Sequence, residues 1–104
     1  MKTYILDGHT PVPCEDLTWW SWWFGTADRT VALTEQENIR VSTVFLGLDH
    51  AFRDDDRPQL FETMVFYSDK ADDMDRYATW EEAEAGHAEM VRRVFSKHYQ
   101  RVNP

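Results

Sequence analysis

The chain has 104 residues, 42% of them hydrophobic and 29% charged, which is the balance of one globular domain over 1–104 and not of a disordered tail. Its net charge of −8 excludes nucleic-acid binding through a general basic surface, because phosphate is repelled at long range. No apolar run approaches the roughly 18 residues of a membrane span, no signal-peptide pattern is read at the start, and the single Cys14 excludes an internal disulfide, a cysteine-rich zinc site and a CxxC pair, so the expected setting is a reducing cytoplasm.

Thr3-Tyr4-Ile5-Leu6 reads as a short strand stopped by the turn pair Asp7-Gly8. Pro11 and Pro13 keep the next segment extended, since each disfavours helix at the residue before it. From Glu15 to Asp28 the pattern is helical, with two acids in the first turn where the helix dipole favours them. Thr30–Thr34 and Ile39–Leu48 read as strands joined by the polar turn Glu35-Gln36-Glu37-Asn38, which makes a hairpin. A loop over 49–58 follows, then a third β segment from Gln59 to Tyr67. Thr79 and Glu82 have capping-box spacing, and a helix runs from there to about His98, ending among Arg92, Arg93 and Lys97. The order β-α-β-β-β-α predicts an α+β fold, a small, mostly antiparallel sheet with two helices packed on it.

Charge is uneven along this order. Residues 49–84 hold twelve acids and four bases, so the middle of the chain alone equals the whole net charge. The acids cluster at Asp54-Asp55-Asp56 and at Asp69, Asp72, Asp73 and Asp75, both in stretches that read as loop. Charge runs are most often solvated loops. The functional alternative is an acidic surface that fits a basic channel of a partner.

Leu17-Thr18-Trp19-Trp20-Ser21-Trp22-Trp23-Phe24 is the most unusual stretch. At about 100° per residue its apolar arc spans roughly 220°, beyond the stripe of a little over 100° that a helix buries on a sheet. Trp19, Trp20 and Trp23 fall in mid-arc and are expected in the core. Trp22 on one flank, or Leu17 and Phe24 on the other, is left partly exposed or covered by something else. An indole at the core margin with its N–H in water is the ordinary explanation. A contact surface is the functional one, either for a partner protein or for a second copy in a two-fold homodimer.

Three polar residues could form a site. His50 follows the second hairpin strand, Glu62 lies within the third β segment, and His87 sits on the apolar stripe Ala83, His87, Met90, Val91, Val94, His98 of the last helix. Two imidazoles and a carboxylate can hold a metal, although no tight ligand spacing such as HExxH supports it. The ordinary readings are a loop residue, an outward strand residue and a hydrogen-bonded core histidine. No catalytic motif and no cofactor motif is present, so the enzyme reading stays open without support. Gly86 in mid-helix costs about 1 kcal/mol relative to Ala, and the close approach of a strand or helix is the natural reason for it.

The segments Val41-Ser42-Thr43-Val44-Phe45-Leu46-Gly47-Leu48-Asp49-His50, Phe61-Glu62-Thr63-Met64-Val65-Phe66 and Arg76-Tyr77-Ala78-Thr79-Trp80-Glu81-Glu82-Ala83-Glu84-Ala85-Gly86-His87 together resemble a family of small proteins encoded in phage and prophage genomes. Leu6-Asp7-Gly8 and the early Trp-containing helix extend the resemblance over nearly the whole chain. The chain departs from it at Tyr67-Ser68, where a Gly-rich turn is expected, and in its doubled Trp pairs. The resemblance implies a setting and no mechanism: a phage accessory protein in the host bacterial cytoplasm. By analogy with other small acidic phage proteins, it implies binding and inhibition or modulation of a host or phage protein, including a defence nuclease of the kind that anti-CRISPR proteins block. Leu17, Trp22, Phe24 and Asp54-Asp55-Asp56 are then the expected contact residues. The alternatives are a small-molecule- or metal-binding protein or small enzyme using His50, Glu62 and His87, and a structural accessory of the phage particle.

Overall fold

The structure, a computed structural model, describes residues 2–51, 57–67 and 70–102. Its elements run β1 (Tyr4–Asp7), β2 (Thr10–Pro13), α1 (Leu17–Thr26), β3 (Thr30–Gln36), β4 (Ile39–Phe45), β5 (Phe61–Tyr67), β6 (Lys70–Tyr77) and α2 (Trp80–Val102). The architecture is α+β as expected, with two helices and two antiparallel sheets: the hairpin β1-β2 and a four-stranded meander in the order β3-β4-β5-β6. No described helix is long and apolar enough to cross a membrane.

Two strands were not expected. In β2 the prolines argued only for extended chain. Two-strand pairing tolerates them because a Pro that lacks its N–H sits safely on an unpaired edge. The second is β6, whose acids read as loop. It pairs with β5 through Glu62↔Arg76, Thr63↔Asp75 and Met64↔Met74, with a register shift between Met64 and Phe66. Backbone pairing to a central strand overrides the poor β preference of Asp. Because β6 is an edge, exposed Asp73 and Asp75 also deter pairing with another chain.

Alternation assigns the faces of the sheet. Ile39, Val41, Thr43 and Phe45 of β4 and Phe61, Thr63 and Val65 of β5 are buried. Across them lies α2, with Ala83, His87, Met90 and Val94 buried at helical spacing, as the stripe predicted. The buried side chains form two apolar clusters. One is Ile39, Val41, Val65, Met90 and Val94; the other is Phe45, Leu60, Phe61 and Ala83. Between them runs a polar layer. His87 Nδ1 lies 2.7 Å from Thr43 Oγ1, its Nε2 lies 2.8 Å from Thr34 Oγ1, and the hydroxyls of Thr43 and Thr63 are 2.5 Å apart. Thr43 and Thr63 are register partners, so one imidazole pins the β4–β5 register, the position of β3 and the rotation of α2 together.

The N-terminus of α2 is built as its spacing predicts. The Thr79 hydroxyl accepts from Glu82 N at 3.1 Å, and Glu82 Oε1 accepts from the backbone N–H of Ala78 and Thr79. Arg57 donates to both Glu82 oxygens, and this exposed pair holds the Glu82 carboxyl below its ordinary pKa. Thr79→Ala is expected to cost about 1 kcal/mol by removing the cap, measured as a lower urea midpoint with an unchanged m-value.

The hairpin closes one end of the molecule. Tyr4 N donates to Gly47 O, Asp49 N donates to Lys2 O, and Thr3 bridges Leu48. At its turn His9 stacks on Trp80 with ring centroids 3.8 Å apart, tying the hairpin to the start of α2.

Candidate functional site

The first helix is shorter than its sequence pattern, and its caps explain why. Asp16 is the N-cap, its carboxylate accepting from Trp19 N at 3.1 Å, so the two acids expected in the first turn precede the helix. At the other end Ala27 N donates to Trp23 O and the Thr26 hydroxyl donates to Trp22 O, which closes the last turn.

This helix rests on the hairpin and on the turn after β4. Trp20 Nε1 donates to both Tyr4 O and Gly47 O at 3.1 Å. Gly47 has φ +74, and a Cβ there would meet the Phe24 ring at 3.0 Å, so the glycine supplies both the turn and the space for α1. Trp23 meets Phe45 edge-on, and the Arg29 guanidinium lies 3.9 Å from the Phe24 ring centroid while donating to Phe45 O. The inward arc is therefore Trp23, Trp20 and Phe24, at roughly 40°, 100° and 140° when Trp19 is zero.

The remaining apolar side chains face outward. Leu17 is 63% exposed, Trp22 58% and Trp19 47%. The indoles of Trp19 and Trp22 stack on each other with centroids 4.9 Å apart. The excess arc is thus real, but its membership differs from expectation. Trp19 is not core: a small hairpin supports the helix instead of the broad sheet, which moves the covered arc toward Phe24. Phe24 leaves the exposed flank for the same reason and lies under Arg29. Glu15, Asp16 and Asp28 are exposed at the two ends of the helix, and residues 15–28 contain no base. Thr30 hydrogen bonds hold the Asp28 carboxyl below its ordinary pKa. Beside Leu17 an open hollow of about 450 Å³ is lined by Lys2, Thr3, Tyr4, Pro13 and Glu15.

His50, Glu62 and His87 are not brought together. The carboxylate of Glu62 lies on the sheet face opposite α2, 2.9 Å from Arg76 Nε. His87 is buried under α2 among threonine hydroxyls, and burial lowers its pKa. His50 follows β4, its backbone N–H bonded to Gln59 O. Among the described residues no group of three His, Cys, Asp or Glu side chains could hold a metal ion. The run Asp54-Asp55-Asp56 lies outside the described residues.

The exposure of Trp19 could not be read from helical angles alone, because the covering surface, the hairpin and Gly47, is remote in sequence. A search of protein-family models, of curated proteins and of solved structures finds no match to this chain in any of the three.

Proposed function

We propose that the protein acts by binding a protein partner through the outer flank of α1, with Leu17, Trp19 and Trp22 as anchors. The observation that carries this reading is the stacked, half-exposed Trp19–Trp22 pair beside Leu17. Isolated exposed apolar residues are ordinary, but two adjacent indoles left in water are not. Trp is among the residues most enriched in binding hot spots, where it fills a pocket on the partner. Glu15, Asp16 and Asp28 frame the flank with negative charge, so the fitting partner is an apolar pocket with a basic rim. A nucleic-acid-handling protein offers the basic part of such a surface around its channel.

The setting proposed with it is that of a phage accessory protein acting on a host machine in the bacterial cytoplasm, a defence nuclease being one such target. That part rests on the resemblance of the three sequence segments. The test is affinity purification from phage-infected cells with the wild type and with Trp19→Ser/Trp22→Ser. The wild type should retain one stoichiometric partner, with binding weakened at high salt, and the variant should lose it by at least about 100-fold in affinity, as hot-spot residues do. Equal retention by both would contradict the reading.

A further inference from the structure

The four-stranded sheet has a second face that no described helix covers. Its side chains are fixed by the register. Leu33 pairs with Ser42, Ser42 with Met64, and Met64 with Met74, so one nearly continuous apolar row crosses all four strands. Leu33 and Met74 at its ends are 52% and 48% exposed. On one side of the row lie Glu35, Arg40 and Phe66, with the Arg40 guanidinium 4.7 Å from the Phe66 ring centroid. On the other lie Thr30, Val44, Glu62 and Arg76, the last two ion-paired.

We propose that this face is the contact between two copies of the chain, packed sheet on sheet about a two-fold axis, and this proposal stands independently of the partner assigned to α1. Three observations select a second copy as the occupant. The first is charge. Glu35 and Glu62 are balanced by Arg40 and Arg76, so the described part of the face is neutral in a protein of net charge −8. Asp73 and Asp75 alternate with Met74 and belong to the other side of β6. A neutral face gives a basic partner no net attraction, whereas an identical face meets no net repulsion.

The second observation is shape. A twisted antiparallel face with an apolar row between two polar rows is what sheet-on-sheet packing buries, with the charged side chains at the rim. The third is area. Four strands about 4.8 Å apart and seven residues of about 3.4 Å give a flat footprint near 450 Å² per copy. That is below the about 800 Å² per partner of a standard interface and falls in the class of small, reversible ones. An interface of this size suits a reversible dimer and not an obligate one, whose interfaces run to about 2,000 Å² and more.

Sedimentation from about 5 to about 500 μM protein tests this. The wild-type mass should rise from 12.3 kDa toward twice that value, and added salt should tighten the dimer by screening the repulsion between two acidic copies. Leu33→Lys and Met74→Lys, both at exposed positions, should keep the wild-type melting temperature and weaken dimerisation at least tenfold. Leu33→Gln repeats the test without adding charge. A wild type that stays monomeric throughout, a dimer retained in both Lys variants, or a dimer lost only with Trp22→Ser would overturn the proposal.

Discussion

Replacing Gly86 by alanine should destabilise the protein by at least about 2 kcal/mol, although alanine is the better helix former by about 1 kcal/mol. A Cβ at this position would stand 2.2 Å from Cε1 and Cζ of Tyr77 and 2.3 Å from its hydroxyl. The Tyr77 ring is not a flexible tip that can swing aside. It closes β6 opposite Phe61, packs with the Phe45–Leu60–Phe61–Ala83 cluster, and its hydroxyl is buried without a hydrogen-bond partner among the described residues. Thr63 is near enough to act on the phenol, but not in hydrogen-bonding geometry, and burial raises the Tyr77 pKa. The clash should therefore push α2 off the sheet. Combining Gly86→Ala with Tyr77→Ala should cost clearly less than the two single changes added together, because the ring that collides is gone. Urea melts of the three variants measure this coupling, and additive losses would mean that the ring and the glycine do not share the space.

The second large effect is expected at His87. Its replacement by alanine removes a buried ring and leaves the Thr34 and Thr43 hydroxyls without their partner, for a loss of about 3 kcal/mol. The same residue sets a pH dependence. Burial lowers the folded-state pKa below the ordinary value of 6.5, so the unfolded state binds the proton more readily. The contribution of neutral His87 is fully present above about pH 6.5 and is lost as the pH falls from there toward the lower folded value. Carboxylates such as Glu82 and Glu89, whose pKa values are lowered by Arg57 and Arg92, lose their contribution only at more acid pH. Melting temperatures measured between about pH 7 and about pH 5.5 should therefore fall for the wild type and stay nearly level for His87→Ala.

What could be read in the sequence follows from which interactions are local. The α2 cap, the stripe residues Ala83, His87, Met90 and Val94, and the pairing of β3 with β4 depend on residues a few positions apart, and these are found where spacing places them. Val91 is only partly buried, and the side chain of His98 lies outside those described. Gly86 announced a close neighbour, though only the fold supplies Tyr77. The strand β6 was hidden because its identity comes from a ladder to β5 and not from Lys70–Tyr77 itself. The face of Trp19 was hidden because α1 is supported by Gly47 and Tyr4, remote in the chain. The open sheet face left a trace that alternation obscures: Met64 and Phe66 are apolar at positions facing away from α2, a pattern of strands covered on both sides. Glu62 and His87 looked like partners only while the face of each was unknown.

Docking of the outer flank of α1 on a partner protein can be mapped with a photo-crosslinking amino acid placed at position 22, at position 19, and at the exposed Ser96 of α2 as a control. In cells that produce the protein, positions 22 and 19 should cross-link to the same protein, with peptides mapping to an apolar pocket rimmed by Lys and Arg, while position 96 gives no such product. Cross-links from position 96 to that protein with none from positions 19 and 22 would contradict the account.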